Sequence, residues 1–179
     1  MEYCIKCKKK EECRMKMPEI TRKSIATPLK IFAVVLLAAS ILLNIFTQFL
    51  PLVRYYGNSM EPTLKDGQLL AVWKTDQIQN GDILAFYYNN SILIRRVIAS
   101  GGEQITVDVF GEVSVNGQPL EEDYVSEKTL GQSNTEFPYY VPKDSYFVMG
   151  DDRTRSMDSR LQEIGAIEKS RIIGKVLFY

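Results

Sequence analysis

The chain has 179 residues, with 22 Lys/Arg offsetting 22 Asp/Glu and no histidine at all. That length suits one domain plus an anchor. The missing histidine excludes a Ser-His-Asp triad, so any serine chemistry here needs another base.

The balanced total hides a split. Residues 1–30 carry nine Lys/Arg against four Glu, and the remainder is acidic by the same margin. A basic segment directly before an apolar run reads as a cytoplasmic flank rather than a nucleic-acid arm, so no nucleic-acid partner is expected. This tail holds all three cysteines, Cys4, Cys7 and Cys13. Cys4 and Cys7 have the spacing of half a zinc knuckle. Structural zinc usually takes four ligands and the tail offers three thiols, so no metal and no cofactor is expected and the thiols read as reduced. Ile31 to Val53 carries no charge. As a helix these residues would span about 34 Å, enough for a hydrocarbon core of about 30 Å. The run exceeds the ~7–15 apolar residues of a cleaved signal peptide. Residues 31–53 therefore read as an uncleaved transmembrane anchor in a lipid bilayer, with residues 1–30 inside the cell and 54–179 outside it.

In the outer region, period-2 patterning and Gly/Asn turns predict strands. They are expected at 68–73, 82–88 and 92–98, the last two separated by Asn89-Asn90. A hairpin of 105–109 and 112–115 bends around Phe110-Gly111, and Asn116-Gly117 marks another turn. Residues 121–142 are polar and irregular and read as a surface excursion. Tyr146–Met149 is a buried-type strand entering Gly150-Asp151-Asp152, and 171–179 reads as the last strand. Many short strands imply a mainly β domain, a partly closed barrel behind one N-terminal helix.

Four segments carry the chemistry. The first is Gly57-Asn58-Ser59-Met60-Glu61-Pro62-Thr63-Leu64, just past the apolar run. The second is Gly81-Asp82-Ile83-Leu84. The third is Ile94-Arg95-Arg96-Val97-Ile98 followed by Gly101-Gly102-Glu103. The fourth runs from Met149-Gly150-Asp151-Asp152-Arg153 through Ser156-Met157-Asp158-Ser159-Arg160. In this order they resemble the type I signal peptidases, membrane-anchored serine endopeptidases that remove signal peptides, in their compact Gram-positive form. The resemblance covers roughly residues 25–179. It implies Ser59 as nucleophile, a general-base lysine at position 95, and preproteins with small residues at the first and third positions before the cleaved bond. It also implies Asp158 and Arg160 as support for the site, with Ser156 holding the base.

Position 95 departs from that pattern. Lysine acts as a base when burial lowers its pKa. Half-neutralising a guanidinium at pH 8 would take about 6–8 kcal/mol, comparable with a domain's whole stability of ~5–15 kcal/mol. Arg95 is expected to stay charged, either bound to a carboxylate or Ser156, or acting as an electrophile beside Ser59. Arg96 is expected to pair with Asp151. Lys65 and Lys74 flank turns, leaving the distant Lys169 or Lys175 as substitute bases. Asp158 and Arg160 read alone could also be an exposed ion pair. The oxyanion would meet the N–H of Ser59, helped by the Gly57-Asn58 turn, with Gly57 serving backbone conformation. Apolar Tyr55, Tyr56 and Met60 would keep the site near the bilayer. Two functions follow: a signal-peptide endopeptidase acting through a Ser59 acyl-enzyme, or a catalytically impaired homologue that binds precursors as a secretion or pilus assembly factor.

Overall fold

The computed structural model describes residues 22–177. Cys4, Cys7 and Cys13 lie outside the described residues. By contacts the chain divides into two units, Met1–Ile45 and Phe46–Tyr179.

Helix α1 runs Arg22–Phe49, with Pro28 in its first turns. It starts nine residues before the uncharged run and stops four before its end. Side chains are described consecutively along it only for 28–44, and among the described residues no helix is long and apolar enough to cross a membrane. Leu29, Ile31, Phe32, Val34, Val35, Leu36, Leu37, Ile41, Leu42 and Leu43 are each more than half exposed. They lie on every side of the helix, so no single apolar stripe is present.

The second unit is mainly β. Its strands are β1 (Leu52–Arg54), β2 (Leu69–Trp73), β3 (Ile83–Tyr88), β4 (Ser91–Ser100), β5 (Gln104–Val107), β6 (Val113–Val115), β7 (Gln118–Pro119), β8 (Tyr139–Tyr140), β9 (Ser145–Met149), β10 (Ile167–Glu168) and β11 (Ile172–Val176). They form a seven-stranded sheet in the order β1-β2-β11-β3-β4-β9-β10 and a four-stranded sheet in the order β7-β6-β5-β8. Every pairing is antiparallel. A pairing of β1 with β10, which would close the larger sheet, is not among those of the described strands.

The Asn89-Asn90 turn shows why the β3–β4 hairpin forms. Both residues have positive φ, 47° and 54°, and a two-residue loop of that kind matches the right-handed twist of its strands. The pairing then runs from Tyr88↔Ser91 to Ile83↔Arg96. Strands β3 and β4 are covered on both faces. Ile83, Ala85 and Ile94 join Met60, Leu64, Leu70 and Val72 in one cluster. Leu84, Phe86 and Val97 join Val148, Ile164 and Ile167 in another. A third cluster, with Ile105, Val113 and Phe147, lies under the smaller sheet. Burial on both faces makes β4 a rigid rail, and it carries the two arginines.

Candidate active site

The alternation of β1 continues past its last hydrogen bond. Val53 is half-buried, Arg54 exposed, Tyr55 buried and Tyr56 exposed. Backbone bonds fix Tyr55 at both ends, its N–H to Gln68 O at 2.9 Å and its C=O from Gly67 N at 2.9 Å. The ring therefore enters the Met60–Leu70 cluster, at 3% exposure. Its Oη accepts the Met60 N–H at 2.9 Å and lies 3.3 Å from Ser59 Oγ, where either oxygen can be the donor.

Ser59 sits in a tight turn closed by Glu61 N–H to Asn58 O at 3.0 Å and Leu64 N–H to Met60 O at 2.9 Å. Met60, fully buried, pins the turn to the core. The Ser59 carbonyl accepts Asp152 N–H at 3.1 Å. Gly150 lies directly beneath: a Cβ there would collide with the Ser59 carbonyl and with Ser156, so only glycine lets these segments meet. The Gly57 N–H is occupied by Asp66 Oδ1 at 2.8 Å, whereas the Ser59 N–H has no acceptor among the described residues.

Successive β4 side chains point to opposite faces, which separates the two arginines. Arg96 meets Asp151 in a buried fork, Nε to Oδ1 at 2.9 Å and Nη2 to Oδ2 at 2.6 Å. It also donates to Gly81 O at 3.0 Å and lies 4.0 Å over the Tyr124 ring. Thr63, from the serine motif, donates to the same Asp151 Oδ2 at 2.5 Å. Asp151 thus ties the first and third motifs to the fourth, and Arg96 adds the second through Gly81 O.

Arg95 points the other way, 5% exposed. Its Nε and Nη2 donate to the Met157 carbonyl at 3.0 and 2.8 Å, and Nη1 to the Ile94 carbonyl at 2.6 Å. None of its hydrogen bonds reaches Ser59 or Ser156, and it makes no carboxylate ion pair among the described residues. Burial pushes its pKa below the ordinary value. The negative charge of Asp158 and the Tyr55 oxygen oppose that push, and Arg160 adds to it.

Asp158 and Arg160 are fully buried, not an exposed pair. Arg160 Nε and Nη2 each lie 2.9 Å from a carboxylate oxygen, and Gly150 N–H adds a third bond at 3.0 Å. Burial alone would raise the Asp158 pKa. The Arg160 fork and the Gly150 amide outweigh it, holding the carboxyl below its ordinary range. Ser156 Oγ is buried with no partner in bonding geometry, although it is near enough to Asp158 to help keep it ionised.

Ser59 and Arg95 open on one groove of about 650 Å³, with Gly57 and Asn58 at its serine end, Leu93, Met157 and Ile164 as apolar wall, and Arg155 at the rim. No lysine lines it. Lys169 pairs with Asp76 at 3.0 Å and Lys175 with Asp82 at 2.6 Å, so both distant substitutes are engaged elsewhere.

A family profile described as "Signal peptidase, peptidase S26" matches residues 26–179. The chain belongs to this signal peptidase family. Its relatives include "Signal peptidase I" of Bacillus licheniformis, 37% identical over 135 residues, covering 68% of this chain and 72% of that protein. "Signal peptidase I T" of Bacillus subtilis (strain 168) is 38% identical, covering 68% and 69%. "Signal peptidase IB" of Staphylococcus aureus is 33% identical over 143 residues, covering 68% and 73%. A crystal structure of a signal peptidase I from Enterococcus faecalis V583 aligns with TM-score 0.47 and 29% identity, covering 58% of this chain and 99% of that one. The resemblance to type I signal peptidases read from the four motifs holds.

Of the residues singled out from the sequence, Gly57, Ser59 and Arg95 line the groove, whereas Met60, Arg96, Asp151, Ser156, Asp158 and Arg160 are buried and do not line it. Tyr55, expected like Met60 to keep the site near the bilayer, is buried in the core instead. Its signal was the alternation from Val53 onward, which assigns Tyr55 inward and Tyr56 outward. Glu122, inside the segment read as a surface excursion, is also buried. It makes a fully buried ion pair with Arg153, and no periodicity in 121–142 announces it.

Proposed function

We propose that this chain is a membrane-anchored serine endopeptidase that removes N-terminal signal peptides from secreted preproteins through a Ser59 acyl-enzyme. One observation carries the reading: Ser59 is half-buried at the end of an open, largely apolar groove, its backbone tied down on both sides and its own N–H free to meet an oxyanion. The names of its relatives point to the same substrates. A precursor lying extended in the groove presents its scissile carbonyl to Ser59 Oγ. Bond formation to the carbonyl carbon places negative charge on the carbonyl oxygen, where the Ser59 N–H stabilises it. Collapse breaks the C–N bond and releases the mature chain, and water then hydrolyses the ester. Leu93, Met157 and Ile164 suit apolar precursor residues. Anchoring is supported by the uncharged run Ile31–Val53 and by the apolar side chains on all sides of α1. The basic 1–30 segment sets the amino terminus in the cytoplasm and the β unit outside, at the plasma membrane.

Arg95 favours a second reading, a precursor-binding homologue without turnover, because its guanidinium is committed to carbonyl oxygens rather than to Ser59. The test uses the full chain purified in detergent with a preprotein carrying an Ala-x-Ala site. Cleavage by the wild type that is lost in Ser59→Ala supports the endopeptidase. Precursor binding with cleavage only in Arg95→Lys supports the second reading.

A further inference from the structure

We propose that Tyr55 is a positioning residue for the nucleophile: its phenol O–H donates to Ser59 Oγ, fixes where that oxygen sits, and supports it as charge develops there. The inference rests on the endopeptidase reading and adds a residue to the same site.

The direction of the bond follows from what a buried phenol must satisfy. Tyr55 is 3% exposed, its ring set among Leu64, Leu70, Ile83 and Ile94. A hydroxyl that deep needs partners within the protein. It brings one hydrogen and two lone pairs. The Met60 N–H takes a lone pair at 2.9 Å. An amide N–H accepts nothing in return, so the phenol hydrogen must go elsewhere. Among the described residues the other partner of this oxygen is Ser59 Oγ, at 3.3 Å. Donation to Ser59 completes the phenol. The reverse direction would leave a buried O–H without an acceptor, which is costly.

Both ends of the contact are held. The Tyr55 backbone is bonded through N–H and C=O to Gln68 and Gly67, and the Ser59 carbonyl accepts Asp152 N–H. The backbone therefore fixes the Ser59 Cβ and leaves the hydroxyl a choice of staggered rotamers. The Tyr55 bond selects one. Among the described residues no other side chain bonds Ser59 Oγ. Arg95 donates to the Met157 and Ile94 carbonyls, and Ser156 Oγ has no partner. With the phenol hydrogen on Oγ, the Ser59 hydrogen is turned away from Tyr55, which is not its acceptor.

The same bond changes strength along the reaction. At 3.3 Å it is long for two hydroxyls. A hydroxyl bound to a charged oxygen sits at about 2.5–2.7 Å, so the contact has room to close. Charge gathers on Oγ twice, as its proton leaves during attack and as the ester bond breaks in deacylation. At both points the phenol meets a stronger acceptor than in the resting enzyme. An interaction that is stronger in the transition state than in the ground state raises kcat and leaves substrate affinity alone. Tyr55 keeps its proton throughout.

The test follows cleavage of the Ala-x-Ala preprotein by the full chain in detergent, with tyrosine, Tyr55→Phe or 4-aminophenylalanine at position 55, and records Tm for each. Phenylalanine removes donor and acceptor together. The amino group is nearly the size of the hydroxyl; it keeps N–H donors for Ser59 Oγ but is a poor acceptor for the Met60 amide. Tyr55→Phe should lose about 10–10²-fold in kcat, the range of a hydrogen bond to a charged group, with KM within about 3-fold. The amino group should recover about 5-fold or more of that loss. A hydroxyl needed only to hold the Met60 amide would leave the aminophenylalanine protein as slow as Tyr55→Phe, and that result overturns the proposal. So does a Tyr55→Phe kcat within about 3-fold of wild type, or a loss carried by KM. If Tyr55→Phe fails to fold, the aminophenylalanine protein decides: kcat within about 10-fold of wild type supports donation, and a lower value overturns it. These outcomes leave the endopeptidase reading standing. Wild type that cleaves no such precursor overturns that reading and this inference with it.

Discussion

Asp158→Asn removes one charge from a site where two guanidinium groups depend on it. The asparagine keeps the size of the side chain and an oxygen for the Gly150 amide. It leaves Arg160, with no exposed surface, without its carboxylate, and removes a negative charge that acts on the buried Arg95. Breaking a buried ion pair by deleting one partner typically costs about 3–5 kcal/mol. The three short bonds from Arg160 and Gly150 place this pair fully in that class. For a domain of this size, roughly 3–5 °C per kcal/mol converts the loss to a fall in Tm of roughly 10–25 °C. Far-ultraviolet circular dichroism in detergent at pH 7 would read it. The pH dependence has a fixed sign. The folded Asp158 carboxyl is held below its ordinary range, so its stabilisation is complete above the unfolded value of about 4. It disappears as pH falls through the lower folded value. The gap between wild type and Asp158→Asn should therefore be widest near neutrality and shrink below about pH 4. A loss under about 1 kcal/mol at pH 7, or a gap that widens on acidification, would refute the reasoning.

Another outcome follows from the same geometry. Gly150→Ala forces a Cβ into the Ser59 carbonyl and Ser156, so cleavage should fall at least about 10²-fold, because small misplacements at the reacting centre are that costly. The check is kcat/KM with folding followed separately by Tm.

Much of the domain was legible because alternation and turn chemistry agree along β2 to β6 and in β9. Strand β1 was not, since Leu52 and Val53 merely prolong an apolar run and only pairing with β2 distinguishes sheet from helix there. Strands β8 and β10 have two residues each, too few to show a period. At the site, local motifs delivered Ser59, Arg95 and the Asp158 loop, but their burial was a tertiary fact. The spacing of Asp158 and Arg160 suits a surface pair as well as an enclosed one, and only the packing of the loop over Gly150 decides between them. The direction of Arg95 was equally hidden. It turns on the Met157 carbonyl, 62 residues away in sequence, and carbonyl acceptors leave no mark in composition. The Ile31–Val53 run stands out by its length, apolarity and lack of charge, and α1 covers most of it.

The most direct test is to look for the covalent intermediate. The full-length protein in detergent would be mixed with an Ala-x-Ala preprotein, quenched in acid within the first turnovers, and digested for mass spectrometry. The account predicts the signal peptide esterified through its terminal alanine to Ser59, with free mature protein in equal amount, and neither species from Ser59→Ala. Mature protein released by Ser59→Ala, or an acyl group found on another residue, would contradict it.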